Sequence, residues 1–212
     1  MKHYSVKEMF FTIQGEGANA GRPAVFIRFA GCNLWSGREQ DRPNARGTCG
    51  TWCDTDFVGA DFGTLDATTL AQKARLLWPD QRANHLARPM CVLTGGEPTL
   101  QADGTLVKEL RSSGFEVTME SNGTRLPPPW LSWLTISPKH GAPVVVSRCD
   151  ELKVVFPQQT SPLEFEKQIE ARWKFVQPMH GHDGSTQLAV DFVRQNPTWR
   201  LSLQLHKMLG IP

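Results

Sequence analysis

Hydrophobic positions along the chain gather in short, nearly unbroken runs: "AVFIRFA" at 24–30, "MCVLT" at 90–94, "FEVTM" at 115–119, "LTIS" at 134–137, "LKVVF" at 152–156, "KFVQ" at 174–177 and "RLSLQLH" at 200–206. Several are apolar almost throughout, as strands buried on both faces are. Segments of helical character lie between some of them, roughly at 66–78, 103–113, 162–171 and 184–195. Strands alternating with helices predict an α/β protein built on a parallel sheet of β-α units. The Pro-rich spacers between "MESNG" and "LTIS" and between "SPKHG" and "ELKVV" are too short for a good helix, so the helix set is reduced. No repeat, low-complexity tract or linker interrupts the 212 residues, and one domain over 1–212 is expected.

The residues just past each strand are more telling. Thr94 ends "MCVLT", and Gly95, Gly96, Glu97 and Pro98 follow it; after "FEVTM" come Glu120, Ser121 and Asn122; Ser137, Pro138 and Lys139 end or extend "LTIS"; Gln177, Pro178, Met179 and His180 come after "KFV"; the last run ends at His206. In parallel α/β architectures the loops at the C-terminal strand ends converge on one opening where ligands bind. Loops are polar by default, but a double glycine before Glu-Pro also lets a ligand approach the backbone closely.

Charge narrows the ligand. A formal net charge of +2 gives no general attraction to nucleic acid or to an anionic membrane, which points to a small, well-placed substrate. The N-terminus lacks a signal-like apolar stretch and no run is long enough to span a membrane, so a cytoplasmic protein is expected. Thiols are kept reduced there, and five cysteines read as metal ligands or core residues. Cys32, Cys49 and Cys53 form C-x16-C-x3-C among glycines and small polar residues; Cys91 lies in an apolar run, and Cys149 has no partner pattern. Three thiolates fit an iron-sulfur cluster with one open iron. By spacing alone a zinc site, with His85 or Cys91 as fourth ligand, stays open.

Beyond spacing, "TWCDT", the Gly95-Gly96-Glu97-Pro98 motif and the strand-end "ESN", "SPK" and "QPM" resemble radical S-adenosylmethionine (SAM) enzymes. More narrowly, "FTIQGEG", "GCNLWSGRE" leading into "CDTDFVG", and "LQLHKMLGIP" resemble the 7-carboxy-7-deazaguanine synthases of queuosine biosynthesis, over essentially the whole chain. The one departure is the spacing: such enzymes end their cysteine motif in C-x2-C, whereas Gly50, Thr51 and Trp52 make it x3 here.

The resemblance implies an incomplete, open (β/α) radical SAM barrel. It implies a [4Fe-4S] cluster on Cys32, Cys49 and Cys53, with SAM held by Trp52, Asp54, Gly95, Gly96, Glu97, Glu120, Ser137, Pro138, Lys139 and Gln177 to His180. The substrate implied is 6-carboxy-5,6,7,8-tetrahydropterin, met by backbone groups of Ile13, Gln14 and Gly15, by Glu16 and Arg28, and by Thr94, His206 and the carboxylate of Pro212. Thr55 would touch Mg2+. The implied reaction is a SAM-dependent, Mg-assisted radical ring contraction to 7-carboxy-7-deazaguanine with loss of ammonia, by a homodimer drawing electrons from a flavodoxin or ferredoxin. Taken singly, Glu16 and Arg28 also fit an ordinary ion pair, Lys139 a solvated charge and Pro212 a frayed end. Two rivals remain: a radical SAM activase acting on a protein partner, and a non-catalytic iron-sulfur carrier, which would have no use for the Gly-Gly-Glu-Pro loop.

Overall fold

The computed structural model describes residues 2–45, 48–79 and 88–212. Among these, nine strands form one sheet: β1 (His3–Ile13), β2 (Pro23–Phe29), β3 (Gly63–Asp66), β4 (Met90–Gly95), β5 (Glu116–Ser121), β6 (Trp133–Ile136), β7 (Arg148–Phe156), β8 (Glu170–Pro178) and β9 (Arg200–Leu201). Five α-helices accompany them: α1 (Ala67–Leu77), α2 (Gly104–Ser112), α3 (Pro162–Glu166), α4 (Ser185–Gln195) and α5 (Leu205–Leu209). The order across the sheet is β3-β1-β2-β4-β5-β6-β7-β8-β9. From β2 to β9 every pairing is parallel; β1 pairs antiparallel with both β2 and β3. The sheet is therefore open and mostly parallel, and no helix among the described residues is long and apolar enough to cross a membrane.

The expected strands are present, with differences at three places. β1 and β3 precede or lie outside every expected run. In β1 the buried Tyr4 and Val6 alternate, then the register against β2 shifts between Val6 and Glu8, and burial resumes at Met9 and Thr12. A bulge of this kind breaks the two-residue period on which a strand is recognised. β3, "GTLD", is too short and polar to signal itself. The helix expected over 162–171 stops at Glu166: a Ser161–Glu164 capping box starts it, but the Glu170 N–H is engaged by Ser147 O as β8 begins. The last expected strand, 200–206, pairs only at Arg200–Leu201, and His206 lies in α5.

The two faces of the sheet differ in chemistry. One packs under α1, α2 and α4 in a core that includes Val25, Ile27, Leu93, Val117, Met119, Leu152 and Val154. The alternate residues face the other way. Toward the strand N-termini these are the buried Ala24, Met90 and Val92, with Phe26 against them. Toward the C-termini they become Arg28, Thr94, Glu120, Lys153 and Gln177. Gln14, just beyond β1, donates to Glu120 on β5 at 2.9 Å. Three strand spacings separate β1 from β5, roughly 14 Å on a flat sheet, so the sheet curls around this polar end.

Glu151 of β7 is 2% exposed and accepts from the Ala18 N–H at 2.8 Å, holding the turn after β1. Burial pushes its carboxyl up from 4.5 to about 7, despite the pull of Lys153. A carboxyl raised on folding binds more protons in the folded state between those two values, so stability falls as pH rises through this window. Glu151→Gln keeps an acceptor for Ala18 and removes the titration. The variant should match the wild type near pH 4.5 and gain on the order of 3 kcal/mol over it by pH 8. Urea unfolding at intervals across that range checks this, and parallel curves would refute it.

Candidate active site

The cysteine loop begins where β2 ends, and its path is set by a close backbone crossing. The Gly96 N–H donates to Phe29 O at 3.3 Å and the Glu97 N–H to Gly31 O at 3.0 Å. A Cβ on Gly96 would overlap the Gly31 carbonyl and stand 2.9 Å from Cys32 Cβ; one on Gly95, whose φ is +136°, would overlap Phe29 O. Glycine is required at both positions by contact, and at Gly95 also by conformation. Glu97 is fully buried and accepts from Thr99 N (3.0 Å), Thr99 Oγ1 (2.6 Å), Ser121 Oγ (2.8 Å) and Asn122 N (2.8 Å). It pins the end of β4 to the end of β5 from beneath.

Cys49 and Cys53 are brought together by the spacing that departs from the usual motif. Residues Thr48–Thr51 form a 3-10 turn, and the Cys53 N–H donates to Cys49 O at 2.6 Å. That bond spans four residues, so the x3 spacing closes one wider turn at the end of the 3-10 segment, and both cysteines line one hollow. Gly50 fits because a Cβ there would overlap that of Ala45. Arg42 holds the turn by donating to Gly50 O (2.5 Å) and stacks 4.6 Å from the Trp35 ring centre.

Cys32, Cys49 and Cys53 line one chamber of about 180 Å³ with Trp35, Trp52, Phe57, Asn122, Ser137, Lys139 and Gln177. Burial pushes the Cys32 thiol up and that of Cys49 up to about 11. Among the described residues no three His, Cys, Asp or Glu side chains converge on a single ion. Three thiols around a common space are the donor set of an iron-sulfur cluster with one open iron. The indole Nε1 of Trp35, in the chamber wall, is buried without a hydrogen-bond partner among the described residues, a donor for which a sulfur acceptor would serve. Lys139 donates to Ser137 O and Oγ, both at 2.6 Å, and stands 5.8 Å from the Trp52 ring centre, so it is no solvated surface charge. Cys91 is core and Cys149 donates to Glu151 O; His85 lies outside the described residues.

A second chamber of about 300 Å³ adjoins the first. Glu16, Asp54, Thr55, Thr94, Gly95, Glu120 and Gln204 line both, forming a common wall. Ile13, Gln14, Gly15, Arg28, His206 and Pro212 line the second chamber alone. Pro212 is not frayed: its carbonyl oxygen accepts from Thr12 Oγ1 at 2.9 Å. Gly15 packs so tightly on α5 that a Cβ would overlap His206 Nδ1. Burial draws the His206 imidazole below its usual value, against the pull of Glu16.

The charges within this wall are paired otherwise than the sequence suggests. Arg28 bonds Glu8 through Nε at 2.5 Å, and its terminal nitrogens have no partner among the described residues. Glu16 pairs instead with Lys153 and accepts from Gln177 (3.1 Å) and Gln204 (2.9 Å). Burial would raise the Glu16 carboxyl, but Lys153 overrides it and the net result is about 2. Lys153 reaches Glu120 at 3.2 Å; burial alone would lower its ammonium, and the surrounding Glu120, Glu16 and Glu151 hold it well above its usual value. The Gln14 backbone is engaged in a turn with Gly21 and Arg22, so its side chain, not its backbone, faces the site. Pro178, Met179 and His180 line a neighbouring hollow that shares Gln204 with both chambers, and Pro138 accepts from Gln158 at 3.4 Å. Lys153 and Gln204 were not expected here; a lysine inside the apolar "LKVVF" was the available signal for the first, and nothing marked the second.

No protein-family model matches the chain. It is 48% identical over 215 residues to the 7-carboxy-7-deazaguanine synthase of Burkholderia multivorans and 50% identical over 215 residues to that of Bordetella pertussis, covering 99% of each chain in both comparisons. Among solved structures it resembles QueE from Escherichia coli, with a TM-score of 0.71 and 26% identity over 95% of this chain and 94% of that one. At such identity over nearly the full length, with the thiols, the double glycine and the two-chambered strand ends in place, the chain belongs to the 7-carboxy-7-deazaguanine synthase family.

Proposed function

We propose that this protein converts 6-carboxy-5,6,7,8-tetrahydropterin to 7-carboxy-7-deazaguanine with loss of ammonia, in 7-deazaguanine and queuosine biosynthesis. The observation that carries this reading is the wall common to two chambers, one lined by three thiols and the other by Arg28 and carboxylates. On this reading residues 1–212 form a single radical SAM domain whose curled sheet is a partial (β/α) barrel. Cys32, Cys49 and Cys53 hold a [4Fe-4S] cluster, and Trp52, Gly95, Gly96, Ser137, Lys139 and Gln177 flank SAM. When bound, cluster and SAM supply the one-electron chemistry of hydrogen abstraction from C6 of the pterin.

The chain's own residues orient and enclose. Arg28 offers its terminal nitrogens as a fork to the substrate carboxylate; Glu16 and Glu120 accept from the amino and ring N–H groups; His206 and Pro212 close the far side. Asp54 is tied to Lys207, and Asp56 to Lys7 at 2.9 Å, which leaves the hydroxyl of Thr55 between them as the protein's oxygen for Mg2+. One hydroxyl is a poor magnesium site alone, so substrate oxygens and waters complete it and metal binding depends on substrate. A flavodoxin or ferredoxin as reductant, a homodimer and a cytoplasmic location belong to the same reading. A bare electron carrier has no use for the second chamber.

Anaerobic reconstitution with iron and sulfide, then reduction and addition of SAM, magnesium and the pterin, should yield a 7-deazaguanine acid by mass spectrometry. SAM cleavage with the pterin unchanged would sink the substrate assignment. Gly96→Val, whose side chain would strike both Gly31 O and the Cys32 side chain, should lose bound iron as well as SAM cleavage; full iron content with normal cleavage would refute the close crossing. Arg28→Gln should raise KM for the pterin ~10–100-fold, the worth of a charge-assisted pair, and steady-state kinetics at saturating SAM measure it.

A further inference from the structure

Charged residues inside a strand covered on both faces are rare unless paired, and β7 carries two, Glu151 and Lys153, on one face. Lys153 is 3% exposed and lies between Glu16 and Glu120. Neither carboxylate comes from an adjacent strand: Glu16 lies just past β1 and Glu120 is near the end of β5. Each carboxylate is held at both oxygens. Glu16 meets the ammonium at Oε2 and the amides of Gln177 and Gln204 at Oε1; Glu120 meets it at Oε2 and Gln14 at Oε1. Both carboxylates line the common wall, while Lys153 lines only the cysteine side. Buried ion pairs of this kind seldom stabilise a fold more than apolar residues of similar volume do. Replacing the whole network with apolar residues would cost its geometry rather than stability, whereas removing the ammonium alone leaves two carboxylates without their counter-charge.

On the reading that the second chamber takes a pterin, we infer that Lys153 is a positioning residue: it clamps Glu16 and Glu120 so that both present acceptors to the 2-amino and ring N–H edge of the substrate. Lys153 does not itself touch that edge. It acts through the two carboxylates, which belong to distant parts of the sheet and have no direct bond to each other.

The test uses reconstituted protein and 6-carboxypterin, the oxidised fluorescent analogue that keeps the amino edge and the carboxylate, with binding read by fluorescence titration and stability by thermal melting. Lys153→Met should bind at least ~10-fold more weakly, the loss of about one charge-assisted contact, and melt at a lower temperature. At pH 8, above the Glu151 titration, Lys153→Met combined with Glu151→Gln returns the formal sum of these buried charges to its wild-type value without altering either clamped carboxylate. The double variant should regain melting temperature and not affinity. Where the single variant fails to fold, the double carries the test. Wild-type affinity in Lys153→Met, or affinity that returns together with stability in the double variant, would overturn the role of Lys153. Wild-type protein that does not bind 6-carboxypterin would overturn the substrate reading and this inference with it.

Discussion

The strand ends are organised by how closely the backbone of Gly95 and Gly96 approaches the segment leaving β2. That crossing leaves no room for a Cβ, and it is fastened by two amide bonds to Phe29 O and Gly31 O. Three motifs far apart in sequence are thereby made one object. The first cysteine hangs from Gly31, the double glycine lies against it, and Glu97 ties both to the end of β5 through Ser121 and Asn122. Close packing transmits strain readily, so a change at any one of these positions is felt by the thiol chamber.

The sheet's second face turns from apolar to charged along its own length. Ala24, Met90 and Val92 fill the N-terminal half, with Thr118 beside them donating to Cys91 O; the C-terminal half carries Arg28, Glu120 and Lys153. Burying that many charges costs heavily unless each is paired. Here each buried carboxylate has either an ammonium or a backbone amide: Lys153 serves Glu16 and Glu120, and Ala18 serves Glu151. The curl of the sheet makes this possible, because it brings residues from β1, β5 and β7 within bonding distance of one another.

Much of this was legible in the sequence, for identifiable reasons. The parallel strands announce themselves as apolar runs because both faces are covered, and the strand-end residues fall at one edge because parallel topology puts them there. β1 hides because its bulge shifts the phase of burial at Lys7 and Glu8. α5 hides because five residues without a side-chain cap leave no periodic trace. Pairing was the least legible: Glu16 and Arg28 look like partners in one dimension, and only the fold shows Glu16 nearer to Lys153, 137 residues away. The x3 spacing departs from the usual motif and closes a turn through the Cys53 N–H and Cys49 O, with both cysteines lining one hollow.

The segment after Cys53 shows how the two chambers are coupled. Its carboxylates are held by different elements, Asp54 by Lys207 of α5 and Asp56 by Lys7 of β1. Lys7 also bonds Asp61 at 2.6 Å, so the loop is anchored beyond the site as well. Between these anchors Thr55 faces both chambers. Exposed ion pairs add little stability, but two of them pulling one short segment toward different elements fix where its middle residue stands. α5, which closes the second chamber through His206, is thus linked by Lys207 to the loop that carries the third thiol. A ligand that moves α5 in one chamber must load that link, and the first residue to feel it is the one beside Cys53.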